Sequence, residues 1–173
     1  MTPGISPEEH RTLLARFASG VTVATAVDAA GRPHGMTASA VCSVSLDPPM
    51  LLVCVHHTSD FHPVLSRVQW FALSVLAHDQ ESLSRRFAAE LPDRFDGVGV
   101  LAGPHGLALI DGAAAHIICE RTERIEAGDH TVFFGRVMAG KVFDRLPLLH
   151  FRGGYGTFAM IATPDPPPPP GSA

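Results

Sequence analysis

The stretch that decides the fold is "HGMTASAVCSVSLDPP", His34 to Pro49. Apolar side chains occupy alternate positions from Met36 to Leu46, and hydroxyl side chains fill most positions between them. Such alternation is typical of a strand with one apolar face. However, strands favour bulky β-branched and aromatic residues, and this stretch is rich in Ala, Ser and Thr. Either the hydroxyl row faces solvent, or small side chains let a flat ligand lie close to the backbone. Periodicity leaves both interpretations open.

The composition indicates one globular domain with a sizeable core. The chain has 173 residues, of which 46% are hydrophobic and 17% charged. A net charge of −4 gives no indication of nucleic acid or an anionic membrane as partner. No apolar run reaches the ~18 residues of a spanning helix. The start "MTPGISPEEHRT" lacks the basic-then-apolar pattern of a signal peptide, so we expect none.

The cysteines are expected to be reduced core residues. Cys42, Cys54 and Cys119 are an odd number and lie far apart, each inside an apolar run. No CxxC spacing occurs, which argues against a zinc site, and His56 and His57 would point to opposite faces of a strand. We therefore expect a cytoplasmic protein with no metal.

Local patterns predict many strands and few helices. Helices are expected over 6–19, 59–68 and 78–91, with a capping box from Ser6 to Glu9 and Asp79 as the cap of the third helix. Strands are expected over 21–27, 34–46, 50–56, 70–76, 113–126 and 131–143, and a last apolar segment over 147–160. The segment 92–106 has the composition of a loop, and "AGDH" (127–130) that of a turn.

These elements predict a mainly β fold, an antiparallel barrel with a few peripheral helices. Its domain is expected over 1–161, followed by a disordered proline-rich tail over 162–173. The chain has no G-x-G-x-x-G, G-x-S-x-G, H-E-x-x-H or P-loop motif. Rossmann-type dinucleotide binding and the common hydrolase chemistries are therefore not expected.

Six segments together resemble the flavin reductase-like, FMN-binding split-barrel family. They are "GVTVATA" with "GRPHGMTASAVCSVSLDPPMLLVCVHHTS", "FALSVLAHDQESLSRRFA" (71–88), Phe95 and Gly97, "GAAAHIICE" (112–120), "GDHTVFFGRV" (128–137) and "PLLHFRGGYG" (147–156). The resemblance spans roughly residues 8–158. It implies an antiparallel split β-barrel and an NAD(P)H:flavin oxidoreductase. Such an enzyme passes a hydride from NADH to FAD or FMN, and diffusible reduced flavin serves a partner monooxygenase. A homodimer with the flavin near the subunit interface is also implied.

The resemblance also implies the site residues. Thr37 and its neighbours would line the isoalloxazine, Ser43 to Ser45 the ribityl chain, and Cys54 to Ser59 the phosphate, with one helix closing that end. The complete implied flavin set is Pro33, His34, Gly35, Met36, Thr37, Ala38, Ser39, Ala40, Ser43, Val44, Ser45, Cys54, Val55, His56, Ser59, Ser82, Arg86, Phe87, Arg152, Gly154 and Tyr155.

His130 of the "GDH" segment is the implied catalytic residue. It would orient or hydrogen-bond the nicotinamide rather than act as a base, and Tyr155 would lie nearby. Without the resemblance, a solvated turn histidine is the simpler interpretation. No arginine cluster is evident for a 2′-phosphate, so NADH is expected rather than NADPH.

Two positions depart from the family pattern. Asp60 follows "HHTS" where relatives often place a cation for the phosphate, and Ser74 stands where many have Asn. The choice between FAD and FMN therefore stays open, as does whether flavin exchanges or stays bound. The alternatives are an FMN-retaining oxidase or oxygenase on the same barrel, and a non-enzymatic flavin- or haem-binding module.

Overall fold

A computed structural model describes residues 4–160. The elements, in chain order, are α1 (Pro7–Leu14), β1 (Ser19–Gly20), β2 (Thr22–Val27), β3 (Pro33–Ala38), β4 (Val41–Leu46), β5 (Pro49–His56), α2 (His62–Leu65), β6 (Trp70–Val75), α3 (Glu81–Ala88), β7 (Val100–Ala102), β8 (Ala108–Ile110), β9 (Ala115–Ala127), β10 (His130–Val142), β11 (Leu149–Phe151) and β12 (Gly154–Gly156). A short 3-10 turn covers Pro104–Gly106. The tail predicted over 162–173 lies outside the described residues.

Seven antiparallel strands form the main sheet, in the order β3-β2-β6-β9-β10-β5-β4. The first and last strands of this order, β3 and β4, are consecutive in the chain but do not pair with each other. The Cys54 N–H of β5 donates to the Ala40 carbonyl at 3.0 Å, which extends the β4–β5 pairing by one residue beyond Val41. The predicted fold, an antiparallel barrel that is split on one side, is thus confirmed.

The core fills the barrel interior with alternate residues of each strand. Along β5, Leu51, Val53 and Val55 are buried while the residues between them are half-exposed. Phe71 and Phe133, both fully buried, pack in the same cluster. Although 50–56 is a continuous apolar run, β5 thus has a core face and an outer face.

The opening stretch is two strands rather than one. β3 ends at Ala38, β4 begins at Val41, and Ser39 and Ala40 between them are exposed. In β4 the apolar side chains do not form a core face, since Val44 and Leu46 are 45% and 90% exposed. Three other features lie where the sequence predicted them: the β2–β3 hairpin, the β9–β10 hairpin and the strand end at "DPP".

The helices are shorter than predicted. The capping box is present in α1, but α1 buries no residue, and Leu13, Leu14 and Phe17 are exposed. Asp79 does not cap α3; Gln80 occupies that position without a side-chain cap, and Asp79 pairs with Arg145. The α2 helix covers only His62–Leu65 of the predicted 59–68.

Two further expectations need correction. The predicted loop 92–106 contains β7, which pairs with an unpredicted β8. Cys42 is exposed and Cys54 is half-buried, so only Cys119 is a core thiol; its burial raises its pKa to about 12. All three thiols are free. Among residues 4–160, no helix is long and apolar enough to cross a lipid bilayer.

Candidate functional site

The candidate site begins at the open edge of β3, where the barrel is split. The Gly35 carbonyl accepts a hydrogen bond from Arg94 rather than from β2. Because the N–H and C=O of one residue in an antiparallel strand point to the same side, Thr37 and Ser39 also present their backbone to this edge. Beyond Ala38 the side chains are small and exposed at Ser39 and Ala40. The result is a ledge of polar backbone with little side-chain bulk above it.

Helix α3 and strand β12 close one side of this ledge. The Thr37 hydroxyl donates to the Ser84 carbonyl at 2.7 Å. Ser84 Oγ lies 2.9 Å from Tyr155 Oη, and the Arg85 guanidinium lies 5.0 Å from the centre of the Tyr155 ring. Thr37 thus has a protein partner, and its hydroxyl holds β3 against α3 instead of facing solvent.

A pair of histidines on the outer barrel face forms the other side. His56 ends β5, His130 begins β10, and the two residues are register partners. Their ring centres lie 4.9 Å apart in an edge-on arrangement. Asp129 lies between them, with Oδ1 2.6 Å from His130 Nδ1 and Oδ2 3.4 Å from His56 Nε2.

These contacts indicate which ring nitrogen of each histidine acts as the donor. The Thr58 N–H donates to His56 Nδ1 at 3.1 Å, so the His56 proton is on Nε2, toward Asp129. His130 donates from Nδ1 to Asp129, which leaves its Nε2 available to a ligand. The hydrogen bond from His130 is the largest influence that holds the pKa of Asp129 below its usual value. The pair therefore offers one oriented imidazole nitrogen suited to a polar group such as a carboxamide.

A second hydrogen-bonded chain lies beside this pair. His57 Nε2 lies 2.9 Å from Glu126 Oε2, which also accepts the Thr131 hydroxyl at 2.9 Å. Thr131 Oγ1 in turn lies 2.8 Å from His62 Nε2. The Thr131 hydrogen bond lowers the pKa of Glu126, and burial lowers the pKa of His62. Adjacent His56 and His57 thus enter separate networks, although His57 lies in the turn after β5 and not on the opposite face of that strand.

The loop after β5 connects the histidine pair to the ledge. Ser59 Oγ lies 3.7 Å from Met36 Sδ, so the segment predicted near a phosphate contacts the β3 ledge. Direct contacts thus link Met36 to Ser59, Thr37 through Ser84 to Tyr155, and His56 to His130.

Other predicted site residues lie elsewhere. Ser43 and Ser45 are opposite Leu51 and Met50, five and six residues before His56 on β5. At a rise of ~3.3 Å per residue, this places them about 16–20 Å from His56. Within one chain, the β4 hydroxyls and Val44 are therefore not part of the opening that contains His130.

Several predicted side chains have their own protein contacts. Val55 and Phe87 are 0% and 1% exposed, so their side chains pack in the core and support the site through packing. Arg86, a member of the implied flavin set, donates to the Arg94 and Asp93 carbonyls. The remaining predicted residues divide by exposure. Gly35 and Ala38 are buried, His34 and Cys54 are half-buried, and Pro33, Ala40, Ser82, Arg152 and Gly154 are exposed.

The sequence reasoning missed Arg94 and Asp129. Arg94 is 8% exposed and donates to the Gly35 carbonyl at 3.0 Å, the Asp60 carboxylate at 2.8 Å and the Ala89 carbonyl at 2.6 Å. It ties β3, the loop after β5 and the end of α3 together. Asp60 could have pointed to Arg94, because a carboxylate in a loop where relatives often carry a cation needs a positively charged partner.

Comparisons with known proteins agree with this geometry. A family model described as "Flavin reductase like domain" matches residues 14–159. The stachydrine N-demethylase reductase subunit of Rhizobium meliloti is 42% identical over 86% of this chain and 65% of that protein. A probable flavin reductase from the same organism is 42% identical but is covered over only 49% of its length. The chain thus spans between half and two thirds of these two relatives.

Two further comparisons cover both chains almost completely. An NADH-dependent flavin reductase from Rhodococcus is 35% identical over 96% of this chain and 94% of that protein. The solved structure of a Streptomyces globisporus NADH:FAD oxidoreductase, in complex with NAD and FAD fragments, superposes with a TM-score of 0.86. Its sequence is 36% identical, and the match covers 94% of this chain and all of that one.

Proposed function

Because the chain belongs to the flavin reductase like domain family, we propose that it is an NADH-dependent flavin reductase. It takes NADH and a free flavin, FAD or FMN, as substrates, and its product is reduced flavin for a partner monooxygenase. The observation that carries this proposal is the family match over residues 14–159, which includes every element around the opening.

The residues at the opening fit a flavin. A tricyclic ring with polar edges needs a flat, unobstructed surface and hydrogen-bonding groups at its rim. The β3 edge offers the outward backbone of Thr37 and Ser39, and the small side chains of Ser39 and Ala40 leave room above it. These features support the ligand-bed interpretation of the opening stretch over plain solvent exposure.

The chemistry requires little of the protein beyond positioning. The hydride passes from nicotinamide C4 to flavin N5, and this reactivity belongs to the two substrates. The chain's own role is to place both rings in contact and to supply donors where negative charge develops on the flavin. His130, fixed by Asp129, is the residue that we assign to the nicotinamide, through its outward Nε2.

We further propose that the working form is a homodimer in the cytoplasm. Exposed apolar side chains are concentrated on elements outside the barrel core: Leu13, Leu14 and Phe17 near α1, Val44 and Leu46 on β4, and Met138 and Val142 on β10. Burial of such residues against a second copy is favourable at ~25 cal/mol per Å² of apolar surface. The β4 hydroxyls, distant from His130 within one chain, would then lie at the subunit interface.

Steady-state loss of NADH absorbance tests this function. The assay combines NADH or NADPH with FAD, FMN or riboflavin in all pairs. We expect flavin-dependent turnover with NADH, and slower turnover with NADPH. No flavin-dependent consumption of either nicotinamide would refute the proposal. A protein that is purified with stoichiometric FMN and does not exchange it would instead support an FMN-retaining oxidase.

A further inference from the structure

A large cavity lies beside the start of β3 and, apart from His34, is lined by residues outside the implied flavin set. It has a volume of about 700 Å³ and is bounded by the β2–β3 turn, α2, the start of β6 and the 3-10 turn. This volume is within the ~300–1,000 Å³ typical of small-molecule sites. Most of its lining is apolar, from residues such as Val27, Val64, Val68 and Leu107.

Two stacked aromatic rings form one wall of this cavity. The Trp70 and His105 ring centres lie 3.8 Å apart, and their planes differ by only 8°. His105 has a φ of +57°, a left-handed conformation that non-glycine residues seldom adopt. The 3-10 turn thus holds the imidazole flat on the indole, and the pair presents a planar surface suited to stacking of a heteroaromatic base.

The rim of the cavity provides positive charge. Arg67, on the segment after α2, is exposed, and within residues 4–160 no carboxylate lies close enough to form an ion pair with it. The Asp28 carboxylate, the acidic group in the lining, is already occupied by Arg32 and His34 at 2.9 and 3.0 Å. The cavity therefore combines a planar aromatic wall with an uncompensated guanidinium, the groups that bind a base and a phosphate.

Two chain segments contribute residues both to the cavity and to the candidate flavin site. His34 lines the cavity and lies two residues before Met36, which contacts Ser59. Pro63 lines the cavity and lies four residues after Ser59. The cavity lining is therefore only a few residues from Ser59, in the segment that the family resemblance assigns to the ribityl phosphate.

We propose that this cavity is a subsite for the adenylate half of a dinucleotide substrate. The base stacks on the Trp70–His105 pair, and Arg67 contacts the phosphate. Both FAD and NADH carry an adenylate group, and FMN lacks one. This inference rests on the proposed flavin reductase function, and it explains how a chain with acidic Asp60 in its phosphate loop would still attract a phosphorylated substrate.

The test compares KM values for FAD, FMN and NADH in variants of the wall and rim. His105→Asn keeps a residue type that tolerates the left-handed backbone but removes the stacked ring. Trp70→Ala removes the inner ring, and Arg67→Ala removes the charge. Arg11→Ala, an exposed arginine on α1, is the matched control.

The two sources of adenylate give different results. If FAD occupies the subsite, loss of one ring raises KM for FAD by roughly 5- to 100-fold and leaves KM for FMN within twofold. If NADH occupies it, KM for NADH rises with either flavin. We expect Arg67→Ala to have a smaller effect of about 3- to 10-fold in the same direction, and Arg11→Ala to have none.

Two outcomes would overturn the subsite. One is unchanged KM values for all three substrates in folded His105→Asn and Arg67→Ala proteins. The other is an equal rise for FAD and FMN. Calorimetric binding of 5′-AMP to the wild type, and its loss in His105→Asn, tests the subsite without turnover. A protein that binds 5′-AMP but never consumes NADH would contradict the proposed function and leave the subsite supported.

Discussion

Replacement of Arg94 with Met should destabilise the protein strongly and weaken flavin binding. The buried guanidinium makes three hydrogen bonds, to the Gly35 and Ala89 carbonyls and to Asp60. Met fills a similar volume but leaves both carbonyls without their arginine donor. The Ala89 carbonyl keeps its hydrogen bond from the Leu91 N–H at 3.1 Å, so the Gly35 carbonyl is the group left unsatisfied. An unsatisfied buried carbonyl costs about 1–3 kcal/mol and the lost bond to Ala89 about 0.5–1.5 kcal/mol, so we expect the free energy of unfolding to fall by about 1.5–4.5 kcal/mol.

The Asp60 carboxylate adds little to this figure. Its side chain is 56% exposed and would be rehydrated when Arg94 is removed. For a protein of this length, 1 kcal/mol shifts Tm by about 2–4 °C, so the expected fall is about 3–18 °C. Because Gly35 lies two residues before Thr37 on the ledge, KM for flavin should rise while KM for NADH changes less.

Thermal and urea unfolding of the variant measure the first effect, and steady-state kinetics the second. Arg85→Met is the control, because Arg85 pairs with Glu81 on the exposed face of α3 and should contribute at most about 1 kcal/mol. Arg94→Lys should recover part of the stability, since it restores a cation but not the forked geometry. If the unfolding free energies of Arg94→Met and Arg85→Met lie within about 1 kcal/mol of each other, the Arg94 hydrogen bonds do not stabilise the fold as we infer.

Four other predictions follow from the contacts described. His130→Ala should raise KM for NADH much more than KM for flavin, and Asp129→Asn should do the same less strongly; unchanged NADH kinetics would remove both from the nicotinamide site. Asp129→Asn should be less stable than the wild type at a pH above the ordinary Asp pKa, because only the ionised carboxylate holds its partners. This difference should vanish as the pH falls through the lowered pKa of Asp129 in the folded protein, and melting temperatures at neutral and acidic pH measure it. Gly135→Ala should cost about 1–3 kcal/mol in urea unfolding, since its Cβ would lie 2.6 Å from the Phe71 ring, whereas Gly156→Ala meets nothing and should be near neutral. Leu46→Glu, at a residue 90% exposed in one chain, should shift the mass measured by light scattering toward a monomer; an unchanged mass would place the dimer interface elsewhere.

Local patterns predicted the elements whose signals are local. The capping box identified the start of α1, and the turn composition of "AGDH" identified the β9–β10 connection, where Gly128 has a φ of +65°. The "DPP" sequence located the break between β4 and β5, because proline cannot donate to a strand ladder.

The failures come from partners that are distant in the chain. Alternation could not reveal the break at Ser39–Ala40, because no Gly, Pro, Asn or Asp marks it and the period continues through both residues. It also could not show that Val44 and Leu46 are exposed, since side-chain type does not specify what lies opposite a strand at the edge of a sheet. Arg94 contacts Gly35 across 59 positions, which no local pattern encodes.

The assignment of residues to the site came from the resemblance, and the geometry then refined it. Taken alone, the local sequence around His130 favours a solvated turn residue. Only the pairing of β5 with β10 places His56 and Asp129 around it. Conversely, Phe87 and Val55 belong to the same segments as the site residues but face the core, because strand and helix periodicity separates neighbouring side chains.

The split in the barrel has a consequence for solubility. An unclosed sheet has two free edges, and a free edge can pair with a strand of another molecule and begin aggregation. Here α3 covers the β3 edge through the bond from Thr37 to Ser84, and β4 carries a register irregularity between Ser43 and Ser45 before it ends at a proline pair. Bulges and prolines both discourage regular edge pairing. The opening thus admits a ligand, while the features around it hinder the addition of a further strand.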